Sequence, residues 1–231
     1  MRLTVVIALL IGLLAGPAPA ADLLEAQALY RAGDMRAAAA LARRLGTADA
    51  YALAARASLV EAVYQAGPGE RAALLVRALE DAGRALEIDP ENVDALIERA
   101  LALGHLTEGD LVGAQAYGFA PEGRKLIELA LELAPDHPWA HGLLGMWHLQ
   151  VVRHAGPALG SSLYGANEQE GLAACARALG IAPDDPALRF GWSTLRELSR
   201  VIRLPARDAA ERLVQAEAGR VARDLSRRLR D

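Results

Sequence analysis

The sequence predicts an all-α protein whose helices pack in consecutive pairs, and two observations lead to that fold class. Of its 231 residues, 50 are alanine, whereas valine, isoleucine and threonine number 12, 7 and 4. Alanine loses no rotamer freedom in a helix, and the β-branched residues that favour strands are scarce. The second observation is a phrase of eight residues that occurs three times, each time with a proline that ends a helix. No stretch alternates apolar and polar residues with β-branched enrichment, so strands have no support.

The N-terminal segment is predicted to be an export signal. Residues 3–14 carry no charge; they follow Met1-Arg2 and lead into Ala18-Pro19-Ala20. This three-part pattern indicates a secretory signal peptide over residues 1–20, cut after Ala20. The uncharged run is shorter than the ~20 residues that a membrane span needs, so an N-terminal anchor is the less favoured alternative. We therefore expect a secreted mature chain, which in a Gram-negative bacterium would be periplasmic.

The repeated phrase marks the junctions between helix pairs. It reads Ala-Leu-Glu-Ile-Asp-Pro-Glu-Asn at 85–92, Ala-Leu-Glu-Leu-Ala-Pro-Asp-His at 130–137 and Ala-Leu-Gly-Ile-Ala-Pro-Asp-Asp at 178–185. Proline ends a helix because its ring lacks an N–H and clashes with the preceding turn. The Asp or Asn after it can accept hydrogen bonds from the free N–H groups of the next helix.

These junctions divide the chain into four predicted helix pairs and two closing helices. The pairs fall at about 22–46, 48–88, 91–134 and 136–182, and the closing helices at about 185–203 and 206–230. Residues 206–231 carry seven arginines and five acids with one apolar stripe. That composition is typical of an element that covers the exposed end of a helical stack.

The junction residues resemble the tetratricopeptide repeat (TPR) family, whose helix pairs are joined by a similar step. Residues 28–38 resemble the turn inside a pair of that family, and Leu144-Gly145 resembles the Leu-Gly of its first helix. The resemblance implies a TPR-like solenoid over residues 21–204, closed by a charged capping helix at 205–231. Because this fold is a generic interaction scaffold, the resemblance also implies a non-catalytic role.

The third and fourth pairs depart from the family pattern by insertion. Pro90, Pro135 and Pro183 are separated by 45 and 48 residues, whereas the TPR period is about 34. The extra residues are expected between the first and second helix of each pair, and both inserts carry a Tyr-Gly step, at Tyr117 and at Tyr164. Two interpretations are open for each tyrosine. In the plug interpretation the ring fills space inside its own repeat; in the other, it projects over one face of the stack and helps to form a pocket.

A second, fainter resemblance rests on one segment of the fourth pair, residues 139–165. This segment resembles regulator-of-microtubule-dynamics type repeat proteins and also the periplasmic TPR subunits that accompany some substrate-binding-protein-dependent (TRAP-type) transporters. The latter resemblance implies an alternative function, a transporter-associated subunit that binds a small apolar ligand.

The candidate partner site is a stripe on the first helix of the fourth pair. Trp139, Met146 and Gln150 lie at i, i+7 and i+11, a stripe that lines the concave surface in the TPR family; its counterparts one pair earlier are Ile97 and Leu101. The TPR resemblance therefore implies a protein or peptide partner held on the concave face by these side chains. Tryptophan and methionine are adaptable anchors for such recognition, although an apolar stripe is more often core.

Histidines offer an alternative of a different class, a metal-binding protein. His137 and His141 stand at i and i+4, the spacing at which two imidazoles reach one metal. His148 lies about 10 Å further along the helix axis and would need another ion. No carboxylate lies between the first two as in a His-Glu-x-x-His enzyme, so a buried, hydrogen-bonded role is the favoured interpretation.

Other function classes have little support. Basic residues number 25 against 29 acidic ones, which argues against nucleic acid as the main partner. The single cysteine, Cys175, cannot form an internal disulfide, has no base close in sequence and is expected to pack as a small apolar residue. The sequence contains neither a phosphate-binding glycine loop nor a nucleophile elbow, so we expect no enzyme activity and no cofactor.

Overall fold

The computed structural model describes residues 19–107, 119–185 and 188, and within these ranges the chain is helical and contains no strand. The predicted fold class is confirmed. Eight α-helices, numbered here in chain order, are found among the described residues: α1 (Pro19–Ala32), α2 (Met35–Leu45), α3 (Ala48–Val60), α4 (Pro68–Ile88), α5 (Val93–Leu106), α6 (Phe119–Leu133), α7 (Pro138–Tyr164) and α8 (Glu168–Ile181). A π-helical turn, Glu61–Gln65, directly follows α3.

The helices form the four predicted pairs, α1 with α2 through α7 with α8. Each helix packs against the next one in the chain, and the first helices of neighbouring pairs also meet, α1 with α3, α3 with α5, and α5 with α7. This is the contact pattern of a helical-pair solenoid, in which a unit touches only its neighbours. The predicted closing helices at 185–203 and 206–230 lie outside the described residues, apart from residues 185 and 188. The predicted signal peptide does too, apart from Pro19 and Ala20, which begin α1.

The residue two places after each junction proline caps the following helix. Asn92 Oδ1 accepts a hydrogen bond from the Ala95 N–H at 2.9 Å, and Asp185 Oδ1 accepts one from the Leu188 N–H at 2.9 Å. In the middle junction it is His137 Nδ1, rather than the preceding aspartate, that accepts from Ala140 N–H, at 3.4 Å. Each cap satisfies a backbone donor that the first turn leaves free, which is how the phrase starts a new helix.

Alanine makes up most of the core of the first two pairs. Ala38, Ala42, Ala54 and Ala57 are all fully buried where α2 packs on α3. Methyl side chains let helix axes approach closely, and the partly buried leucines and Tyr30 fill the remaining space around them. The high alanine content therefore determines packing distance as well as helix propensity.

Glycine sets the distance between α7 and α8. A Cβ at Gly145 would overlap Cys175 Sγ and lie 2.7 Å from the carbonyl oxygen of Gly171. A Cβ at Gly171 would lie 2.9 Å from His148 Cβ. Because only a hydrogen fits at both positions, the two helices pack backbone against backbone. Cys175 is buried in this contact, as expected from the sequence.

The insertion in the fourth pair lengthens the first helix, whereas the sequence suggested a segment between two helices. α7 runs on to Tyr164 across a kink at Gly156, whose φ is 81°, followed by Pro157. Gly160 packs against Val152 and Gly165 ends the helix in the left-handed conformation with φ 66°. The insertion of the third pair falls largely on residues 108–118, outside the described residues.

Among the helices of the described ranges, none combines the length and the apolar character that crossing a bilayer requires.

Candidate functional site: a cleft across the first helices

The surface formed by α1, α3, α5 and α7, called here the first-helix face, carries a cleft of about 450 Å³. The cleft crosses the first helix of three successive pairs. Its lining mixes apolar, aromatic and charged side chains: Leu23, Gln27, Tyr30 and Arg31 from α1, Asp49, Leu53 and Arg56 from α3, and Asp94 from α5. Because three pairs contribute to it, the cleft is a property of the stack rather than of any single repeat.

An ion triad centred on Arg56 forms one wall of the cleft. Arg56 donates from Nε to Glu98 Oε1 at 2.6 Å and from Nη2 to Asp94 Oδ1 at 2.9 Å. Glu98 is only 3 % exposed, and burial, partly offset by Arg56, raises its pKa to about 7. The contacts join α3 to α5 and fix the guanidinium in the cleft.

The side chain of Asp49 meets an uncharged donor. Asn92, which caps α5, donates from Nδ2 to Asp49 Oδ1 at 2.8 Å. The aspartate is exposed at the start of α3, and the contact ties the N-terminal end of that helix to the N-terminal end of α5. The amide thus holds two neighbouring first helices in register at the acidic end of the cleft.

Tyr30 lies at the opposite end of the cleft, and Tyr64 lies near it, outside the lining of the cleft. Tyr30 is half-buried beside Arg56, and burial raises the pKa of its hydroxyl, with Glu98 and Tyr64 adding to the effect and Arg56 opposing it. Tyr64 stands on the π-helical turn and is 69 % exposed. The two hydroxyls are therefore electrostatic neighbours, although Tyr64 was not singled out by sequence reasoning.

The π-helical turn that carries Tyr64 is held at both of its ends. Arg36 donates from Nε and Nη2 to Glu61 Oε1, at 2.9 and 2.6 Å, and Glu61 is buried. Gln65 Nε2 donates to the carbonyl of Gly33 at 3.1 Å. The two contacts attach the turn to the α1–α2 pair, so that Tyr64 is fixed relative to α1.

The stripe predicted from the sequence lies further along the same series of first helices. Ile97 is 3 % exposed and belongs to the core between α5 and α6, and Trp139 and Leu101 pack against that core while remaining partly exposed. Met146 and Gln150 are also partly exposed. The structure thus places Ile97 inside the protein and leaves the other four with some surface.

Neither tyrosine of the Tyr-Gly steps lines the cleft. Tyr117 falls outside the described residues. Tyr164 is 39 % exposed at the end of α7 and belongs to none of the buried clusters among the described residues. Instead, its carbonyl and that of Gly165 accept hydrogen bonds from Arg124 Nη1 at 3.3 Å each, and Arg124 itself stacks over the Trp147 ring at 4.9 Å. The partial exposure of Tyr164 gives the plug interpretation no support at this position.

The histidines bond to the backbone. His141 Nε2 donates to the Pro135 carbonyl at 2.7 Å, and His148 Nδ1 accepts from the Asn167 N–H at 3.0 Å. Both rings are buried, as the sequence indicated, and His137 is the cap of α7. Across the described parts of the chain, no three His, Cys, Asp or Glu side chains are grouped as metal ligands.

A second cleft, of about 790 Å³, lies on the other side of α3 and α5. Six of its lining residues belong to α4 alone, and the rest are single contributions from α3 and α5: Leu79, Glu80, Gly83, Arg84, Glu87, Ile88, Tyr51 and Arg99. Arg84 is stacked 5.9 Å from the centroid of the Tyr51 ring. This cleft is the flank of one helix, so we take the first-helix cleft as the candidate site.

Sequence reasoning missed the buried acids that organise these helices. Asp81 and Glu98 are 5 % and 3 % exposed, and Asp81 accepts hydrogen bonds from Arg43 Nε. The sequence did contain a signal for Glu98, because it lies three residues after Ala95 and four before Ala102, on one apolar stripe of the helix. An acid on an apolar stripe requires a partner, and a basic side chain from another helix is the expected one.

Comparison with known proteins places the cleft within a matched region. The sequence model of a family described as "Regulator of microtubule dynamics protein 1-3" matches residues 22–155, which include every residue that lines the cleft. Among solved structures, the chain is similar to a thermophilic TPR protein from Thermus thermophilus, with 19% identity and a TM-score of 0.49, over 77% of this chain and 98% of that one. No curated protein matches the chain. The resemblance of the fourth pair to regulator-of-microtubule-dynamics proteins is therefore confirmed, over a much longer stretch that ends at residue 155.

Proposed function

This chain belongs to the regulator of microtubule dynamics protein 1-3 family, and from that premise we propose that it is a non-catalytic interaction scaffold which holds an extended segment of a partner protein in the first-helix cleft. The observation that carries the proposal is the cleft itself, a trough of about 450 Å³ to which three successive pairs contribute side chains. An extended segment laid across the helices would contact each pair in turn.

The lining of the cleft supports a peptide rather than a small apolar molecule. Leu23 and Leu53 provide apolar surface, while Gln27, Tyr30 and Arg56 provide donors for backbone carbonyls. A peptide main chain needs such alternating contacts, whereas a small apolar ligand would cover the charged groups and displace their water without forming hydrogen bonds to them. The transporter-associated alternative is therefore less favoured.

We place the predicted stripe of the fourth pair in the same binding face. Trp139, Met146 and Gln150 keep some exposed surface on α7. The N-terminal end of α7 lies beside the N-terminal end of α5, which carries Asp94, since Trp139 and Val93 pack against the same buried cluster. A partner segment longer than the cleft would continue from Asp94 onto α7 and reach these side chains.

Site-specific photo-crosslinking tests the proposal. A photoreactive phenylalanine analogue at Gln27, inside the cleft, is expected to yield a discrete cross-linked partner from the compartment in which the chain resides. The matched control is the same analogue at Arg44, exposed on α2, which is expected to give none. Equal cross-linking from both positions would contradict the assignment of the cleft.

A metal-binding function through His137 and His141 is the candidate of a different class. His137 Nδ1 accepts the capping hydrogen bond of α7, and His141 Nε2 is bonded to a backbone carbonyl. A metal would have to replace one of these bonds or use the remaining nitrogens. Elemental analysis decides the matter, because stoichiometric zinc or copper that is lost in His141→Ala would favour the metal site over the scaffold.

We further propose that the chain is exported, on the sequence pattern of residues 1–20. Cleavage after Ala20 would remove two residues from the start of α1, which begins at Pro19. The intact mass of the chain recovered from the exported fraction tests this. A mass that begins at Ala21 supports the proposal, and a full-length chain confined to the cytoplasmic fraction would refute it.

A further inference from the structure

The two ends of the first-helix cleft differ in chemistry. Asp49 and Asp94 stand in the first turns of α3 and α5, where the cleft is acidic. Tyr30 lines the other end, and Tyr64 stands next to that end on the π-helical turn, which Gln65 bonds to Gly33 just after α1. Arg56 lies between the two ends and is bonded to Asp94.

The acidic end carries excess negative charge among the described residues. Asp49 accepts from the uncharged Asn92 amide, and the one positive charge of Arg56 is shared by Asp94 and Glu98. The other cation in the lining, Arg31, donates to the Gln27 carbonyl of its own helix. An acid in the first turn of a helix is favoured by the helix dipole, so helix stability alone could explain the positions of Asp49 and Asp94. It does not explain the exposed tyrosine near the other end of the cleft.

The aromatic end depends on an unusual backbone conformation. A π-helical turn sacrifices regular α-helical hydrogen bonding, and such turns are frequent at functional sites. Here the turn is fastened by Glu61 and Gln65, yet it leaves the Tyr64 ring 69 % exposed beside Tyr30. A large exposed aromatic ring on a fixed turn is typical of a binding contact rather than of packing.

We propose that the partner segment carries a basic side chain and, about three residues away from it, an apolar or aromatic side chain. This inference rests on the proposed function and specifies the chemistry of its ligand. The basic group would lie between Asp49 and Asp94, and the apolar group against Tyr30 and Tyr64. Asp49 and Arg56 are seven residues apart on α3, or about 10 Å along its axis, and Tyr30 lines the cleft together with Arg56. An extended chain therefore spans the distance from the acidic end to Tyr30 in about three residues.

Selection from a displayed library of random short peptides tests the proposal. Three full-length proteins are compared: the wild type, the double variant Asp49→Asn with Asp94→Asn, and the matched control Glu80→Gln with Glu87→Gln. The control removes the same number of carboxylates from exposed positions on α4, outside the cleft. Peptides selected on the wild type and on the control are expected to be enriched several-fold in Lys and Arg over Asp and Glu, and the cleft variant is expected to lose that enrichment.

Tyr64→Ala tests the other end of the cleft and keeps the proposal falsifiable if the aspartate variant fails to fold. Because Tyr64 is exposed, its removal leaves the core intact, and selected peptides are expected to keep the basic residue but lose the apolar one. Enrichment in acidic residues, or an equal loss of basic preference in both double variants, would overturn the inference while leaving the scaffold function standing. If none of the proteins enriches any peptide, the proposed function itself fails.

Discussion

Arg56 Nε lies 2.6 Å from Glu98 Oε1, and this contact joins the first helices of the second and third pairs through a carboxylate that is only 3 % exposed. A buried charge is costly unless it is paired, and a pair of this kind resists separation because removal of one partner leaves the other uncompensated. The guanidinium that pairs with Glu98 also faces the cleft. The stability of the stack and the shape of the cleft therefore depend on the same pair.

Glu98→Gln is expected to remove a fall in the free energy of unfolding that the wild type shows between about pH 5 and about pH 8. Burial raises the pKa of Glu98 from 4.5 to about 7. Between these values the folded protein holds a proton that the unfolded chain releases, so this group lowers the free energy of unfolding as pH rises through the window. The effect is on the order of 2 kcal/mol. Chemical denaturation of both proteins at about pH 5 and about pH 8 measures it.

Glu122→Gln is the control for that experiment. Glu122 also pairs with an arginine, Arg99, at 3.0 Å, but its side chain is 43% exposed. A surface pair contributes little to stability, so this variant is expected to keep the wild-type difference between the two pH values. If Glu98→Gln keeps it too, Glu98 is not the source of the pH dependence.

Asn92→Ala is expected to lower the free energy of unfolding by about 1–2 kcal/mol, because it removes a helix cap. The side chain caps α5 at Ala95 and also donates to Asp49. Asp49→Ala separates these roles, since it removes the acceptor of the Asn92 amide and leaves the cap of α5 in place. We expect a smaller loss for Asp49→Ala than for Asn92→Ala in thermal denaturation. Equal losses in the two variants would mean that the bond to Asp49, not the cap, is what matters.

The helix pairs could be predicted from the sequence because their signals are local. A proline ends one helix and the residue two places on caps the next, so the junctions at Pro90, Pro135 and Pro183 needed no knowledge of the fold. At the middle junction the sequence predicted an aspartate as the cap of α7, whereas His137 is the cap. The difference concerns which of two adjacent polar residues faces the end of the helix. The sequence does not determine that choice locally.

The cleft could not be predicted, because its geometry depends on contacts between distant residues. Arg56 and Glu98 are 42 residues apart, and Asp49 and Asn92 are 43 apart. Periodicity identifies the buried stripe of α5 but not which helix supplies the cation to its acid. The resemblance to the TPR family pointed to the first-helix face, on which the cleft lies, and one of the residues it led to, Ile97, is buried. Tyr64 lies on a π-helical turn, and no local sequence pattern predicts that turn.

His148 is expected to remain neutral to a lower pH than an ordinary histidine. Burial, with the nearby Arg124, lowers its pKa below 6.5, against a smaller opposing effect of Glu170. Protonation would also break the hydrogen bond from the Asn167 N–H to Nδ1. The unfolded chain therefore binds the proton more readily, and this group lowers the free energy of unfolding as pH falls below 6.5.

An NMR titration of the imidazole measures that pKa directly. The expected midpoint for His148 is below 6.5, and the Asn167 amide should shift with the same midpoint because it donates to the ring. His148→Gln keeps an acceptor at this position and is expected to remove the amide titration. A midpoint at or above 6.5 would contradict the role of burial at this site.

Gly145→Ala is expected to destabilise the protein by about 2 kcal/mol, even though alanine is the better helix former by up to about 1 kcal/mol. The added methyl would overlap Cys175 Sγ and lie 2.7 Å from the Gly171 carbonyl oxygen, so α7 and α8 would have to separate. Adding Cys175→Ala removes one of these overlaps and should restore part of the loss. Gly180→Ala is the control on α8, where a Cβ would meet no atom within 4 Å, and we expect it to be neutral or slightly stabilising in thermal denaturation. Similar losses at both glycines would show that helix contact is not the cause.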